Sequence, residues 1–578
     1  MRLPSKMAFR KEAEAVMANE SYPDFKSEPV MARLREAHET VFLHYVSDLN
    51  DAFPHVFAGT EYRSSLGTYA DTNPYSGLDI GRYQRFDPSW DMTSVIDDID
   101  SAQDIWRETP WRKRAEYLYS LAHALMNNKW TWRFVSALMH DTGKSATEAW
   151  GEYNEVYRFV LIHVWFMFKR YTGGEHFKSS ALAGEYFGYS SRGKGIGLVV
   201  APFNFPAAIP VRMLTLMLAF GNVVILKGAT TASLVTRLIY DVCEEVRKET
   251  GIGPAGLVNF APGSGGTAAD AFLSDPRVRI VSFTGSSEVC ERIQAKHRIS
   301  DRVGGNQLIT GSAETGGVNW VILGSYDDKQ YVASQGVRAN FGISGQKCST
   351  MRIFFCPEAE VSKMVLLFAS EYNKLKYGNV LDGADLGPVI DMAAKKEIDT
   401  KIEFLENKDF ARVVYRKSIS ASPSGRDVAP TILLADHDAI RYPEKMRIIL
   451  NLEIFGPVFT IIPYRHIDEV KALCKVTKYG LTGSAFEADP KKLAKIQLWL
   501  PAGNSYGNRR CTGATGPEAF GGVGGTQSSY NSGLKGYDEV GLYVDTKTHS
   551  TVYAPTWTEE DKRMYRQTME EHCVTVKW

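Results

Sequence analysis

The chain has 578 residues, 44% of them hydrophobic, more than one hydrophobic core supports, so two or more globular units are expected. Lys plus Arg and Asp plus Glu each number 67, leaving zero formal net charge and nothing global to attract nucleic acid or an anionic membrane. The 7 cysteines are scattered, with no C-x-x-C pair, which points to a reducing compartment, cytoplasm or mitochondrial matrix, and away from a metal site.

Residues 1–60 read as a charged, aromatic N-terminal extension, with helical spacing from Met31 to Leu49 and turn signals at Tyr22-Pro23 and Phe53-Pro54. Arg2, Lys6, Arg10 and Lys11 precede the first acid, Glu12, as in a mitochondrial presequence, but the apolar stretch of a secretory signal is missing. From Ala102 to Lys169, apolar residues at helical spacing, punctuated by Gly143 and Gly151, predict several consecutive helices. Gly195 to Ala201 is strand-like. The longest apolar run, Ala207 to Leu226, is interrupted by Pro210, Arg212 and Gly221-Asn222; it suits a buried helix and a buried strand better than a membrane span.

Thr231 to Glu249 carries Leu234, Leu238, Ile239, Val242 and Val246 on one helical face and closes at Gly251. Strands at Gly256 to Phe260 and Arg279 to Phe283, with a helix from Thr267 to Leu273 between them, continue the alternation of a doubly wound parallel sheet. Gly263-Ser264-Gly265-Gly266 matches only part of the dinucleotide fingerprint and reads as a loop and helix start. A second alternating region runs from Asn319 through Val458, with helices near Ser362 to Lys374 and Ala393 to Glu406. The expected organisation is an N-terminal extension (1–60), a nucleotide-binding domain (61–315), a second α/β domain (316–525) and a C-terminal segment (526–578). Within that segment, alternation over 541–554 predicts a strand that pairs outside its own domain. The end from Pro555 is charged and carries no further reading.

Gly345-Gln346-Lys347-Cys348-Ser349 sets one thiol beside a lysine and small residues, a setting expected to lower its pKa and admit a substrate. Four more segments stand in order around it: Ala201-Pro202-Phe203-Asn204-Phe205-Pro206, Ser282-Phe283-Thr284-Gly285-Ser286, Ala313-Glu314-Thr315-Gly316-Gly317 and Glu453-Ile454-Phe455-Gly456-Pro457. Together they resemble the aldehyde dehydrogenases over about residues 60–555.

The resemblance implies NAD-dependent oxidation of an aldehyde to a carboxylic acid, with NADP left open. It implies Cys348 as nucleophile, Asn204 as oxyanion donor and Glu314 as the base that activates water against the thioester. Lys227, Gly285, Ser286, Glu453 and Phe455 take the family's cofactor positions. At Lys227-Gly228-Ala229-Thr230 the sequence departs from the family pattern, which has proline after the lysine and often an acid or serine three residues past it. Neutral Thr230 enforces neither cofactor. Glu314 favours hydrolysis over transfer to coenzyme A.

Gly503-Asn504-Ser505-Tyr506-Gly507-Asn508, Cys511-Thr512-Gly513-Ala514 and Phe520-Gly521-Gly522, with Phe25 to Val30, look like the branch of this family whose substrate is glutamate γ-semialdehyde. In that branch Ser349 and the backbone N–H groups of Gly513 and Ala514 would hold the substrate's α-carboxylate. Thr515 to Ala519 and Thr526 to Tyr543 depart from the branch. The surplus of Trp and Tyr from Trp106 to Trp165 gives the alternative, a larger or aromatic aldehyde, unless these rings are core. A binding protein that reuses the fold is disfavoured by the intact Cys348, Glu314 and Asn204. The family resemblance also implies a homo-oligomer.

Overall fold

The computed structural model describes residues 1–19, 21–41, 44–45, 51–172, 185–296, 310–436, 439–514, 519–523, 536–552, 556–570 and 573–575. Two helices open the chain, α1 (Lys6–Ala18) and α2 (Glu28–Val41), followed by short strands β1 (His55–Phe57), β2 (Thr60–Tyr62), β3 (Thr68–Thr72) and β4 (Asp79–Gln84). Phe42, Leu43 and Val46 to Leu49, near the end of the predicted Met31–Leu49 helix, lie outside the described residues, as does Asn50.

Four helices come next: α3 (Met92–Glu108), α4 (Trp111–Leu125), α5 (Asn128–Thr142) and α6 (Ala146–Thr172). Asp91 accepts the N–H groups of Thr93 and Ser94 to start α3, and Gly143, left-handed at φ 68°, closes α5. The aromatic residues of this stretch are mostly core. Trp106, Trp111, Tyr117 and Tyr153 are buried. The Trp106 indole N–H donates to the Leu218 carbonyl at 2.9 Å, and the Tyr117 hydroxyl to that of Cys243 at 3.1 Å. Their polar edges are spent on neighbouring helices, so the expectation of an aromatic substrate pocket here fails.

The first large sheet is built from β6 (Ile196–Val200), β7 (Val224–Lys227), β8 (Val258–Phe260), β9 (Val278–Thr284) and β10 (Thr310–Glu314), preceded by β5 (Glu185–Gly193). Helices α7 (Ala208–Ala219), α8 (Ser233–Thr250), α9 (Gly265–Leu273) and α10 (Ser287–Lys296) connect its strands. The order is β10-β9-β6-β7-β8-β1-β2, parallel from β10 to β8 and antiparallel at β1 and β2. All five residues of β6 are buried, as a central parallel strand covered on both faces requires. The order reverses between β6 and β9, the crevice where such sheets bind nucleotides.

The second large sheet comprises β11 (Asn319–Leu323), β12 (Met351–Pro357), β13 (Ala411–Arg416), β14 (Thr431–Ala435), β15 (Val458–Tyr464), β16 (Thr482–Phe486) and β17 (Asn504–Gly507). Around it stand α11 (Lys329–Phe341), α12 (Val361–Lys374), α13 (Met392–Asn407), α14 (Pro443–Ile449), α15 (Ile467–Ala472) and α16 (Pro490–Trp499). Its order is β13-β14-β15-β12-β11-β16-β17, parallel except at β13. A doubly wound parallel-sheet unit is thus joined to a second α/β unit.

The predicted strand near the C-terminus is β18 (Val544–Val552); Tyr553 and Ala554 lie outside the described residues. It pairs with β5 along its whole length, and β19 (Cys573–Thr575) takes the other side of β5 after helix α17 (Glu559–Glu570). Among the described residues no helix is long and apolar enough to cross a membrane.

Candidate active site

The C-terminal edge of the first sheet and the N-terminal edge of the second carry the predicted residues. Asn204 follows β6, Lys227 ends β7, Gly285 and Ser286 follow β9, and Glu314 ends β10. On the other side, Cys348 and Ser349 precede β12, and Glu453 and Phe455 precede β15.

The thiol loop is held in a strained shape. Ile343, Ser344 and Gly345 are consecutively left-handed, at φ 46°, 50° and 73°, a conformation that disfavours the first two residue types. Hydrogen bonds compensate. Ser344 Oγ donates to the Gly387 carbonyl at 2.5 Å, Gln346 Nε2 to that of Ile343 at 2.9 Å, and Gln346 Oε1 accepts the Ile390 N–H at 3.0 Å. Position 345 tolerates only glycine, because a Cβ there would lie 2.0 Å from the Gly456 carbonyl oxygen.

Buried Arg352 fastens this loop to the next. It donates to the carbonyls of Gly345 (2.7 Å), Lys347 (3.2 Å) and Gly456 (2.6 Å), and its guanidinium lies 5.5 Å from the centre of the Phe455 ring. Asn319 Nδ2 takes the carbonyls of Cys348 (2.6 Å) and Thr350 (2.8 Å). Neither Arg352 nor Asn319 was signalled by the sequence, since a polar residue at a strand start is ordinary.

The expected depression of the Cys348 pKa by Lys347 does not occur. The Lys347 ammonium is ion-paired with Glu148 and sits 5.7 Å from the Phe205 ring centre. Burial, then the charges of Glu314 and Glu453, push the thiol up to about 12, against the Ser349 and Cys348 N–H groups. The free protein holds a thiol.

Asn204 is buried, and its carbonyl accepts from Lys144 Nζ at 2.6 Å. Lys144 is itself fully buried, ion-paired with Glu152 and 4.3 Å from the Phe205 ring centre. The same Glu152 carboxylate accepts the N–H groups of Ala207 (2.9 Å) and Ala208 (3.1 Å) at the start of α7. The Asn204 loop is thus pinned at both ends by one buried ion pair. Sequence reasoning missed the pair, which in a string of residues looks like any surface Lys and Glu.

Glu314 is buried where β10 ends, and its charge reaches both Cys348 and Arg212. Its carbonyl accepts the Gly285 N–H at 3.1 Å, joining the ends of β9 and β10. Arg212 is ion-paired with Glu539, which also accepts from Ser312 Oγ (3.0 Å) and the Tyr543 hydroxyl (2.8 Å). The C-terminal segment therefore closes the floor behind Glu314.

Glu453 accepts the Gly317 N–H at 2.9 Å, and burial raises its pKa while Arg352 opposes the rise. A Cβ on Gly316 would lie 2.5 Å from its Oε2, so the Gly316-Gly317 pair makes room for this carboxylate. Phe455 meets Phe203 edge to face at 6.1 Å. Lys227 Nζ lies 3.4 Å from the place of a Cβ on Gly265, and Ser286 Oγ accepts the Val289 N–H at 3.3 Å at the start of α10. A buried amine, two glycines at a helix start and a serine at the next helix start fit a dinucleotide, whose phosphates need close backbone approach and N–H donors.

Gly513 is left-handed at φ 82°, and Arg509 holds its carbonyl (2.6 Å) together with that of Thr512 (3.1 Å). The Ser349 carbonyl accepts from Thr482 Oγ1 (3.3 Å) and from Cys511 Sγ (3.4 Å). Ser349 and the Cys511–Ala514 loop are therefore neighbours beside the thiol. Residues 515–518, in the segment that departs from the branch, lie outside the described residues.

The family model described as the aldehyde dehydrogenase family matches residues 62–548. A 1-pyrroline-5-carboxylate dehydrogenase of Bacillus cytotoxicus is 32% identical over 454 residues, 78% of this chain and 84% of that protein. One from Bacillus cereus is 32% identical over 456 residues, with the same coverage of 78% and 84%. The solved structure of 1-pyrroline-5-carboxylate dehydrogenase from Thermus with bound NAD superposes with a TM-score of 0.82 at 25% identity, covering 93% of this chain and 99% of that one.

Proposed function

Because the chain belongs to the aldehyde dehydrogenase family, we propose that it oxidises glutamate γ-semialdehyde, the open form of 1-pyrroline-5-carboxylate, to glutamate in proline catabolism. The observation that carries the substrate is the contact between Ser349, next to the thiol, and the Cys511–Ala514 loop. That loop offers the N–H groups of Gly513 and Ala514 to a carboxylate a few bonds from the aldehyde.

Cys348 Sγ, once deprotonated, attacks the aldehyde carbon, and the carbonyl electron pair moves to oxygen. The Asn204 amide, on the loop fixed by Lys144 and Glu152, and the Cys348 N–H stabilise that oxyanion. Collapse restores the carbonyl, expels hydride and leaves a thioester on Sγ. Lys227, Gly285, Ser286, Glu453 and Phe455 would hold NAD, which when bound would supply the hydride acceptor. Glu314 then takes a proton from water; the hydroxide oxygen bonds to the acyl carbon and the sulfur leaves as thiolate.

The test is reduced-cofactor formation by the purified protein with glutamate γ-semialdehyde, pentanal and benzaldehyde. A kcat/KM for the semialdehyde about 100-fold or more above both others is expected; equal or higher values for either would remove the substrate assignment. Among the described residues the β18-β5-β19 sheet leaves two strand edges for a second copy, and a homo-oligomer is expected by light scattering. A monomer at micromolar concentration would overturn that.

A further inference from the structure

Asn319 opens β11, is buried, and gives its whole carboxamide to backbone. Nδ2 donates to the carbonyls of Cys348 (2.6 Å) and Thr350 (2.8 Å), and Oδ1 accepts the Thr482 N–H of β16 at 3.0 Å. Two donors and an acceptor on so short a side chain are what a carboxamide supplies.

Gly317 leaves the space in which this contact forms. A Cβ there would lie 2.4 Å from the Cys348 carbonyl oxygen and 3.1 Å from the Asn319 carboxamide. The pairing of β11 with β12 also shifts here, from Asn319–Met351 to Trp320–Ile353. Arg352 is the extra residue, and it takes the Lys347 carbonyl at 3.2 Å. Two side chains thus fix the two peptide groups on either side of the Cys348 Cα.

A trans peptide points its N–H away from its carbonyl. With the Cys348 carbonyl held on Asn319, the N–H of the same peptide, that of Ser349, is directed to the opposite side, where it hydrogen-bonds Cys348 Sγ. The charges that face the sulfur are Glu314 at the end of β10, Glu453 before β15 and Arg352 of β12; Lys347, on the thiol's own loop, is engaged by Glu148 of α6. With two acids against one guanidinium, an anion on this sulfur depends on its N–H donors.

We propose that Asn319 is a positioning residue for the thiolate: by clamping the Cys348 and Thr350 carbonyls it holds the Ser349 N–H on Sγ, both when the thiol loses its proton to attack and when the thioester carbon–sulfur bond breaks onto sulfur. The proposal rests on the reading of Cys348 as nucleophile.

Iodoacetamide alkylation of the Cys348 peptide in the purified full chain, from pH 7 to pH 10, tests it, with cooperative thermal unfolding as the control of folding. Asn319→Ala removes the donors, and Asn319→Leu fills the same space without them. Each should alkylate about tenfold more slowly than the wild type at every pH in that range. For the semialdehyde, kcat should fall about tenfold while KM stays within about twofold. A wild-type alkylation rate in either folded variant overturns the proposal. So does a faster rate, which a loosened and merely more exposed loop gives. Loss of turnover in Cys348→Ala beside unchanged alkylation in the Asn319 variants overturns this proposal alone; normal turnover in Cys348→Ala removes the nucleophile and this proposal with it.

Discussion

At Cys348 the surroundings oppose the thiolate. Burial and the carboxylates of Glu314 and Glu453 hold the thiol near pKa 12, and the one cation beside it in sequence, Lys347, is engaged by Glu148. Alkylation of Cys348 in the cofactor-free protein should therefore be slow at pH 7 and rise about tenfold per pH unit up to pH 10. Iodoacetamide labelling, quantified on the Cys348 peptide, reads this directly; a plateau below pH 8 would mean that the thiolate is already stabilised. At Lys144 the sequence was silent and the structure is not. Lys144→Met would strand the Glu152 carboxylate in the core, at a cost of about 3–5 kcal/mol. It would also release the Asn204 carbonyl, so kcat should fall more than KM changes. Unfolding midpoints and steady-state kinetics together check this, and an unchanged kcat in folded protein would dissociate the ion pair from the oxyanion loop.

Regular elements were legible because their burial is periodic or continuous. The apolar run 207–226 splits into α7 and β7, with the break at Gly221-Asn222, because Asn222 Nδ2 takes the Met217 carbonyl at 3.2 Å and ends the helix. The strand predicted over 541–554 is there, yet its partner β5 lies about 350 residues earlier, a pairing that alternation alone never specifies. Loop shape was the illegible part. Nothing local in Gly342-Ile343-Ser344-Gly345 announces three left-handed residues; they exist because Arg352, Gly387 and Ile390 hold them from outside. Gly345→Ala is expected to abolish turnover, by a factor of about 100 or more in kcat/KM, through contact with Gly456. Near-native cofactor binding in that variant would localise the damage to the thiol loop. Wild-type kcat would show that the loop can relax.

For the whole molecule, the question is what keeps the two sheet units in register across the cleft. Arg426 reaches from the second unit to Thr72 Oγ1 at 2.9 Å, and Ser424 Oγ donates to the Pro74 carbonyl at 2.7 Å, both beside the end of β3. Asp71, in that same strand, meets Asp141 of α5, and each carboxylate receives N–H groups at the start of α8. Two buried carboxyls here cannot both ionise. Burial raises the Asp71 pKa from 3.8 to about 7, opposed by the Ser233 N–H, and holds that of Asp141 well above the usual carboxylate range, with the Asp71 charge adding to the burial.

A proton bound more tightly in the folded state stabilises it fully below the unfolded pKa, and the benefit is lost as pH rises through the folded one. The junction of β3, α5 and α8 should thus weaken between about pH 4 and pH 7. Half-buried His38 and His140 act in the opposite sense. Burial depresses them to about 3 and about 4, with the mutual charge adding to the burial of His38, so their contribution is present above pH 6.5 and is lost as pH falls. Asp71→Asn keeps an acceptor for the Ser233 N–H and removes both the Asp71 titration and the Asp71 charge that adds to the Asp141 shift. Its unfolding midpoint should fall less than that of the wild type from pH 6 to pH 8.5, by the equivalent of about 1–2 kcal/mol. Identical slopes in the two proteins would show that the Asp71–Asp141 pair holds no shared proton at neutral pH, and the junction's stability would then rest on the α8 N–H bonds alone.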